Sequence, residues 1–438
     1  KITEAVISLN KITILAYQFI SFYFLYKLER KEELPQIDVK FIKHCIYMVT
    51  IGSDKGRPFS DNNLRDELKE VFEKEFKNVI VDDLQERYRL SYSINSLADT
   101  MLTCIKTNIS TEYPRRLGIF ISKIIKQIDN SMSYKNLHEV TNKIRNNLLN
   151  VQELPNDTFS ELIKNHKDFI IPSITGNKSH QYYLKSQTFK YLPCLIYMNQ
   201  ILQSNELKGF NWSTMRTNIV PKYIEVDTNI LLELLGRASY KNKMSTEELK
   251  EELWNEFFKI PKYGVCSQES NKMYKFDGCM QTNGISVSIR YSLYLKCEDG
   301  TFEKKNQRYK KGNNKKIIKD KKEKKKKIEF PYLDELSKKE FKSLKTEKKV
   351  YCDPGKHDIL YLLDDEGNVL SYSNKKRLRD TKRKVFTDIR EKINEPVKNL
   401  EAELATHSRK ACKLEDLTKY LKEKNTLNSK TFKHYELP

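Results

Sequence analysis

The sequence predicts an α+β multidomain protein: a helical region first, a small β-rich module next, and a three-strand meander near the end. Apolar residues recur at helical spacing through residues 1–208. Alternating apolar residues and turn signals dominate residues 209–298 and 349–372 instead. The chain has 438 residues, which allows about two to four domains.

The helical region contains several amphipathic segments. Asn62–Val81 has one apolar stripe with charged residues elsewhere, and Tyr134–Val151 and Phe159–His166 repeat this pattern. Stripes of this kind are typical of helices that pack on a common core. We therefore assign no chemistry to this region, although its exposed lysines would suit a clamp on a nucleic-acid duplex.

The most apolar segment of the chain is Ala5–Tyr26. It contains Asn10, Lys11 and Gln18, and its apolar residues recur at helical spacing. A membrane span of this length carries few polar groups. The pattern therefore favours a buried helix.

The β-rich module follows Trp212. Ser245 and Glu248 form a capping box that predicts a helix through Phe258. Asn283-Gly284 is typical of a tight turn between two strands. The predicted β segments are Asn218–Asp227, Tyr274–Phe276, Cys279–Gln281 and Ile285–Leu295.

Positive charge is concentrated rather than spread along the chain. Of the formal net charge of +21, residues 301–350 contribute 20 Lys and Arg against 8 Asp and Glu. Residues 371–400 contribute 10 against 4. Such clusters favour a polyanionic partner, nucleic acid above an anionic membrane. Within the first cluster, Lys321–Lys327 suits a nuclear-import signal, a phosphate-binding tether or a plain charged linker.

The eight cysteines are scattered and include no C-x-x-C pair. They therefore predict neither a zinc site nor a disulfide framework, and a reducing compartment suits them best.

The meander begins with Y-C-D-P-G-K-H-D at Tyr351–Asp358. An apolar run ends on Asp353, Pro354-Gly355 turns the chain, and two further short apolar runs follow up to Tyr372. Ribonuclease-H-like nucleases hold their first metal-binding aspartate at the rim of such a strand. We therefore select Asp353 as the candidate catalytic residue and Mg²⁺ ligand.

Two metal ions in such a centre need further carboxylates close by. Asp364 and Asp365 suit the hairpin turn better than a metal site. His357 suits an exposed loop better than a catalytic role. The remaining acidic candidates are Asp358, Glu401 and Glu403.

A basic segment follows the meander directly. Two helices are predicted here, Lys375–Ile393 and Glu395–Lys424, separated at Glu395-Pro396. The cations selected as phosphate ligands are Lys356, Lys375, Lys376, Arg377, Arg379, Lys382 and Arg383. A solvated surface helix is the alternative interpretation of this segment.

Four segments, in order along the chain, resemble Fanzor proteins, the eukaryotic and giant-virus relatives of TnpB nucleases. Each segment is modestly specific alone. A difference is Asn283, where the family often has aspartate. The four matching segments are Asn10–Leu25, Ile219–Leu235, Phe276–Ile289 and Val350–Lys356, the last followed by the basic helix.

The resemblance implies an RNA-guided DNA endonuclease with a RuvC-like site that uses Mg²⁺. Its partners would be a guide RNA and target double-stranded DNA beside a short flanking motif. It would act as a monomeric ribonucleoprotein in the nucleus, without a membrane partner. The implied domains are a helical recognition lobe at 1–208, a β-barrel-like wedge module at 209–298, a basic linker at 299–348 and the first part of a RuvC-like nuclease domain at 349–438.

Asp353 matches the first RuvC carboxylate of that family. The second and third carboxylates and a zinc ribbon are expected beyond Pro438, so structural zinc is expected only with that ribbon. The chain begins with Lys1 rather than Met, and we expect a fragment of a longer protein.

Two alternatives to a nuclease stay open. A truncated, inactive relative would bind guide RNA and DNA without cleavage. An actin-like sugar kinase or ATPase also has an Asp-x-Gly turn, but it needs further glycine-rich loops, and no second loop is evident among the 13 glycines.

Overall fold

A computed structural model describes residues 1–50, 61–81, 84–86, 93–176, 178–216, 218–236, 247–258, 272–297, 300–304, 337–338, 342 and 348–435. The chain forms two compact units. The first comprises Lys1–Val265, Lys275–Ser292 and Leu400–Pro438, and the second comprises Cys266–Tyr274 and Leu293–Asn399. The predicted α+β class is confirmed. Ser245 and the lysine-rich run Lys321–Lys327 lie outside the described residues.

The described helices and strands follow the order of the sequence prediction. The α-helices are α1 (Ile2–Glu29), α2 (Val39–Met48), α3 (Asn62–Val71), α4 (Ser93–Ile128), α5 (Tyr134–Leu149), α6 (Thr158–Lys164), α7 (Lys167–Ile170), α8 (His180–Ser186), α9 (Leu192–Ser204), α10 (Thr228–Leu234), α11 (Glu247–Phe257), α12 (Asn374–Asp380), α13 (Arg383–Leu404) and α14 (Leu414–Tyr435). A π-helix (Phe72–Phe76) and a 3-10 turn (Lys77–Val79) continue α3, and a 3-10 turn (Thr188–Tyr191) precedes α9. The strands are β1 (Ile224–Asp227), β2 (Lys272–Thr282), β3 (Val287–Lys296), β4 (Phe302–Lys304), β5 (Val350–Asp353), β6 (Asp358–Asp364) and β7 (Val369–Ser373).

Helix α1 is largely buried in the first unit. It is long and apolar enough to cross a membrane, but 83% of its most apolar window is buried inside the protein. Phe19 illustrates the packing, since its ring lies 5.5 Å from that of Phe72 and 5.1 Å from that of Phe76. The burial of each such side chain contributes about 1.5–3 kcal/mol. The predicted buried helix over Ala5–Tyr26 is confirmed.

A polar residue inside α1 has a structural explanation. Asn10 is buried, and its side-chain oxygen accepts hydrogen bonds from Arg216 Nη1 at 2.5 Å and from the Lys222 backbone N–H at 2.8 Å. Its amide nitrogen donates to the carbonyl of Val6 at 2.7 Å. Asn10 thus joins α1 to the segment that leads into β1.

The last helix, α14, packs in the first unit. The Leu414 N–H donates to Glu29 at the end of α1, and the Asn425 side chain donates to the Val79 carbonyl at 2.9 Å. Trp212 is 1% exposed and donates from its indole to the Ala411 carbonyl at 3.0 Å. The segment Leu400–Pro438, grouped with 349–399 by the resemblance, therefore belongs with the N-terminal helices.

The β-rich module has a core of its own. Strands pair in the order β1-β2-β3-β4, with β1 antiparallel to β2. Trp254 of α11 is buried against this core with Val226 and Met280, and its indole N–H donates to Thr228. The predicted turn at Asn283-Gly284 is confirmed, with φ +89° at Gly284. The two short segments predicted at 274–276 and 279–281 form one strand, β2.

The predicted meander is confirmed in the second unit. Strands β5, β6 and β7 form an antiparallel sheet in that order, with Asp353 opposite Tyr361 and Tyr361 opposite Ser371. Strand β5 ends because Pro354 has no N–H to offer a neighbouring strand.

The predicted helix boundaries after the meander were wrong. The single helix expected at Lys375–Ile393 is broken at Lys382, which has φ +51° in the left-handed region. The predicted break at Pro396 is absent, because α13 runs through it. Pro396 is exposed, so solvent can satisfy the carbonyl that loses its N–H partner.

Candidate functional site

The candidate site lies at one end of the β5–β7 sheet. Asp353 is the last residue of β5, and its side chain is exposed. In the part of the chain that the structure describes, no hydrogen bond or ion pair engages its carboxylate. A solvent-facing carboxylate at a strand end has the oxygen donors that Mg²⁺ prefers.

A tight turn follows Asp353. The Gly355 N–H donates to the Asp358 carbonyl at 2.8 Å, which closes the loop between β5 and β6. Lys356 and His357 are exposed within this loop. His357 contributes its backbone carbonyl to the fold, accepting a hydrogen bond from the Asn374 N–H at 2.8 Å. This bond holds the start of α12 beside the turn that follows Asp353.

Helix α12 begins with a side-chain cap. Ser373 Oγ accepts a hydrogen bond from the Lys376 N–H at 3.1 Å, an interaction that stabilises a helix start by about 1 kcal/mol. The helix ends where Thr381 and Lys382 donate their N–H groups to the carbonyls of Arg377 and Arg379.

The predicted phosphate ligands of this region are all exposed. Two helices present them, because the break at Lys382 separates α12 from α13. Among the described residues, these cations form one ion pair, in which Arg379 Nε lies 3.8 Å from the Asp380 carboxylate. Lys376 also lies 5.8 Å from the Tyr372 ring centre. The basic ridge, as we name it, comprises Lys375, Lys376, Arg377, Arg379, Lys382 and Arg383.

Two of the other acidic candidates, Asp364 and Asp365, have local roles. Asp364 accepts hydrogen bonds from the side chain and backbone of Asn368, and these bonds lower the pKa of its carboxyl. Asp365 accepts from the Lys349 N–H at 2.9 Å. The hairpin-turn interpretation of both residues is confirmed. Glu401 lies near Lys424 in the first unit.

A two-metal centre does not fit the described residues. They contain no group of three or more His, Cys, Asp or Glu side chains that could hold a metal ion. Asp353 supplies one carboxylate, whereas a metal pair needs several. The described residues around Asp353 therefore do not form a ligand set for a metal pair.

The face of the sheet that bears Asp353 is also apolar and exposed. Tyr351, Leu363 and Val369 lie opposite one another on the three strands, at 57%, 37% and 52% exposure. Side chains two residues apart on a strand share a face, so Tyr351 and Asp353 lie on the same side. The carboxylate is therefore at the margin of an apolar sheet surface.

A cationic groove in the helical unit was missed at the sequence level. It contains Arg115, Lys123 and Arg145, which lie on α4 and α5 and are distant from one another along the chain. The only local signals were Pro114 and Gly118 inside a long helix.

Comparison with known families gives one match. The profile of a family described as "Domain of unknown function (DUF8286)" matches residues 224–292. This range begins at the first residue of β1 and ends within β3. The search of curated proteins found no match. The β-rich module is thus the part of this chain that is similar to a described family.

Proposed function

We propose that this protein is an RNA-guided DNA endonuclease in which Asp353 supplies one carboxylate ligand to catalytic Mg²⁺. The observation that carries the proposal is the hydrogen bond from Asn374 to His357. Through it, the basic ridge begins at the end of the sheet where Asp353 is exposed. An acidic metal ligand beside a cationic surface suits a phosphodiester substrate. The guided mode of recognition rests on the four Fanzor-like segments.

Within this proposal, the residues of the chain have distinct roles. The ridge holds the phosphate backbone through charge and carries no sequence information. Sequence would be read by pairing between the guide RNA and the target strand. Bound Mg²⁺ would supply activation of water and stabilisation of the leaving oxygen. Asp353 would supply one of its carboxylate ligands.

A second candidate function is nucleic-acid binding without cleavage. It is favoured by the lack of an acidic cluster among the described residues. Both candidates need the basic ridge, and only the first needs Asp353.

The decisive experiment starts with the RNA that co-purifies with the full chain. Sequencing this RNA defines the guide, and a DNA library with a matching target and randomised flanks is then incubated with the complex in Mg²⁺. We expect cleavage by the wild type, none by Asp353→Ala, and equal DNA binding by both. Asp365→Ala, which alters an exposed acid in the hairpin turn, is the matched control and should cleave normally.

The possible results separate the candidates. Cleavage by Asp353→Ala at the wild-type rate would remove Asp353 from the mechanism. Guide-dependent DNA binding without any cleavage would establish the second candidate. Random cellular RNA in the preparation, with no defined species, would contradict the guided mode altogether.

A further inference from the structure

The helical unit contains an open groove between α4 and α5. Its volume is about 740 Å³. Apolar residues of both helices form part of its wall, among them Pro114 and Ile119 of α4 and Leu137 of α5. Gly118 lies on the same face of α4. The groove is separate in sequence from Asp353 and from the basic ridge.

The charged residues of this groove are cations. Arg115, Lys123 and Arg145 line it, and none of its described lining residues is Asp or Glu. Arg115 is paired with Glu112, with Nε 2.6 Å from the carboxylate. Arg145 contacts the Asn146 side chain at 3.4 Å, and no described carboxylate pairs with it. The groove therefore has a net positive charge.

The Arg145 side chain reaches from α5 to the backbone of α4. A Cβ built at Gly118 would lie 3.4 Å from Arg145 Nη1 and 3.5 Å from its Cδ. The guanidinium thus lies over the backbone of α4, and Arg145 as a whole is half-buried. A planar guanidinium held in this way suits a bidentate contact with phosphate.

More cations adjoin Lys123. Its ammonium donates to the carbonyl of Lys208, and the ammonium of Lys410 donates to the Gly209 carbonyl at 2.8 Å. Burial, then the charge of Lys208, lowers the pKa of Lys123. Burial is the largest cause of the lowered pKa of Lys410. The positive charges of Lys208, Arg409 and Lys123 lower it further. Like charges held together cost free energy that a bound anion offsets.

Lys208 and Lys410 line a second depression of about 480 Å³. This depression also contains Asp416 and Lys419, so it is less uniformly cationic than the α4–α5 groove. The contact from Lys123 to Lys208 links the two.

An aromatic ring lies at the mouth of the groove. Tyr134 is the first residue of α5, lines the groove and is 81% exposed. Its ring centre is 6.3 Å from that of His138, whose ring nitrogen is 2.8 Å from the Asn142 amide. An exposed ring beside cations is the combination by which proteins bind unpaired bases and their phosphates.

We propose that the α4–α5 groove binds a single-stranded nucleic acid, with a base stacked on Tyr134 and phosphates on Arg145 and Lys123. A duplex satisfies the cations but keeps its bases stacked internally, where Tyr134 cannot reach them. A single strand offers unpaired bases as well as phosphates, which matches one exposed ring beside two cations. This inference does not depend on cleavage or on Asp353.

The test is the fluorescence anisotropy of labelled rU12 and dT12 with the full chain in EDTA. Tyr134→Ala should weaken binding at least about fivefold, the lower end of measured base–aromatic stacking, and Arg145→Gln should weaken it as well. Arg145→Gln should also make the slope of log K against log salt shallower by about 0.7, as for one phosphate contact on a single strand. Tyr134→Ala should leave that slope unchanged. The preferred probe, rU12 or dT12, identifies whether the strand is RNA or DNA.

Matched controls lie elsewhere on the first unit. Phe169→Ala removes an aromatic ring that is 57% exposed, and Lys69→Gln removes an exposed cation of α3. Both should bind as the wild type does, and a 12-base-pair duplex should bind Tyr134→Ala and wild type equally. Circular dichroism confirms that the variants are folded.

Wild-type affinity in both Tyr134→Ala and Arg145→Gln would overturn the proposal. A second measurement does not depend on any variant. A strand that contains 4-thiouridine, irradiated on the wild-type protein, should crosslink to peptides of α4 or α5. Crosslinks confined to other parts of the chain would overturn the proposal equally.

Discussion

The backbone N–H of Asn374 donates a hydrogen bond to the carbonyl oxygen of His357, 2.8 Å away. His357 lies in the turn after β5, and Asn374 is the first residue of α12. One bond therefore connects the loop that follows the candidate metal ligand to the helix that begins the basic ridge. Removing this hydrogen bond tests most directly whether α12 must lie beside that loop.

Asn374→Pro removes this donor with little other disturbance. Proline suits the first position of a helix, and Ser373 already has φ −77° and ψ 155°, which the residue before a proline adopts readily. We expect the loss of one hydrogen bond to weaken the attachment of α12 by about 0.5–1.5 kcal/mol. Faster hydrogen exchange over residues 375–380 reports this. Asn374→Ala keeps the N–H, so equal exchange in the two variants would contradict the prediction.

The basic ridge predicts the salt dependence of duplex binding. Neutralising Lys375, Lys376 and Arg377 to glutamine should weaken binding and make the slope of log K against log salt shallower by up to about 2.7, if each contacts one phosphate. Duplex titrations at several salt concentrations measure this slope.

The control for the ridge is a triple variant of exposed lysines that are already paired. Lys74, Lys77 and Lys164 each contact a glutamate three or four residues earlier, at 2.7, 2.6 and 2.6 Å. Their neutralisation should leave the slope unchanged. An equal change of slope in both triple variants would show that the ridge is an ordinary solvated surface.

Asp364 predicts a pH dependence at the hairpin turn. Its pKa is lowered first by the Asn368 side chain and then by the backbone N–H of Asn368. A carboxyl whose pKa is lower in the folded state stabilises the fold above its unfolded pKa of about 3.9, and this contribution disappears as the pH falls through the folded value. Asn368→Ala should raise the pKa of Asp364, as measured by carboxyl NMR titration.

The same variant should also change how the free energy of unfolding depends on pH. The stability difference between wild type and Asn368→Ala should shrink as the pH falls below about 4. A difference that stays constant into the acid range would show that the hydrogen bonds to Asp364 are not its cause.

Asn10 predicts a stability effect in the first unit. Asn10→Leu removes the oxygen that accepts from Arg216 and from the Lys222 N–H. We expect a loss of about 1–3 kcal/mol in the free energy of unfolding, because these donors lose their partner in a part-buried place. Urea denaturation measures it. Asn63→Leu, at an exposed position of α3, should change the value by less than about 0.5 kcal/mol.

Local patterns predicted most elements of this fold. The apolar repeat of α1, the turn at Asn283-Gly284 and the β5–β7 meander all depend on interactions between residues close in sequence, so they were visible before any packing was known. The left-handed conformation of Lys382 was not predicted, because no glycine marks the end of that helix. The continuation of α13 through Pro396 was not predicted either, since it depends on solvent exposure of the freed carbonyl.

Sequence alone determined the strand that ends on Asp353, the basic composition of the segment after it and the apolar character of α1. These follow from residue type and spacing. Only the tertiary structure decided that α14 packs on the N-terminal helices, that His357 meets Asn374 and that Arg145 crosses to Gly118. The physical reason is that these contacts join residues far apart along the chain, and their geometry arises when the helices and strands bury their apolar faces together.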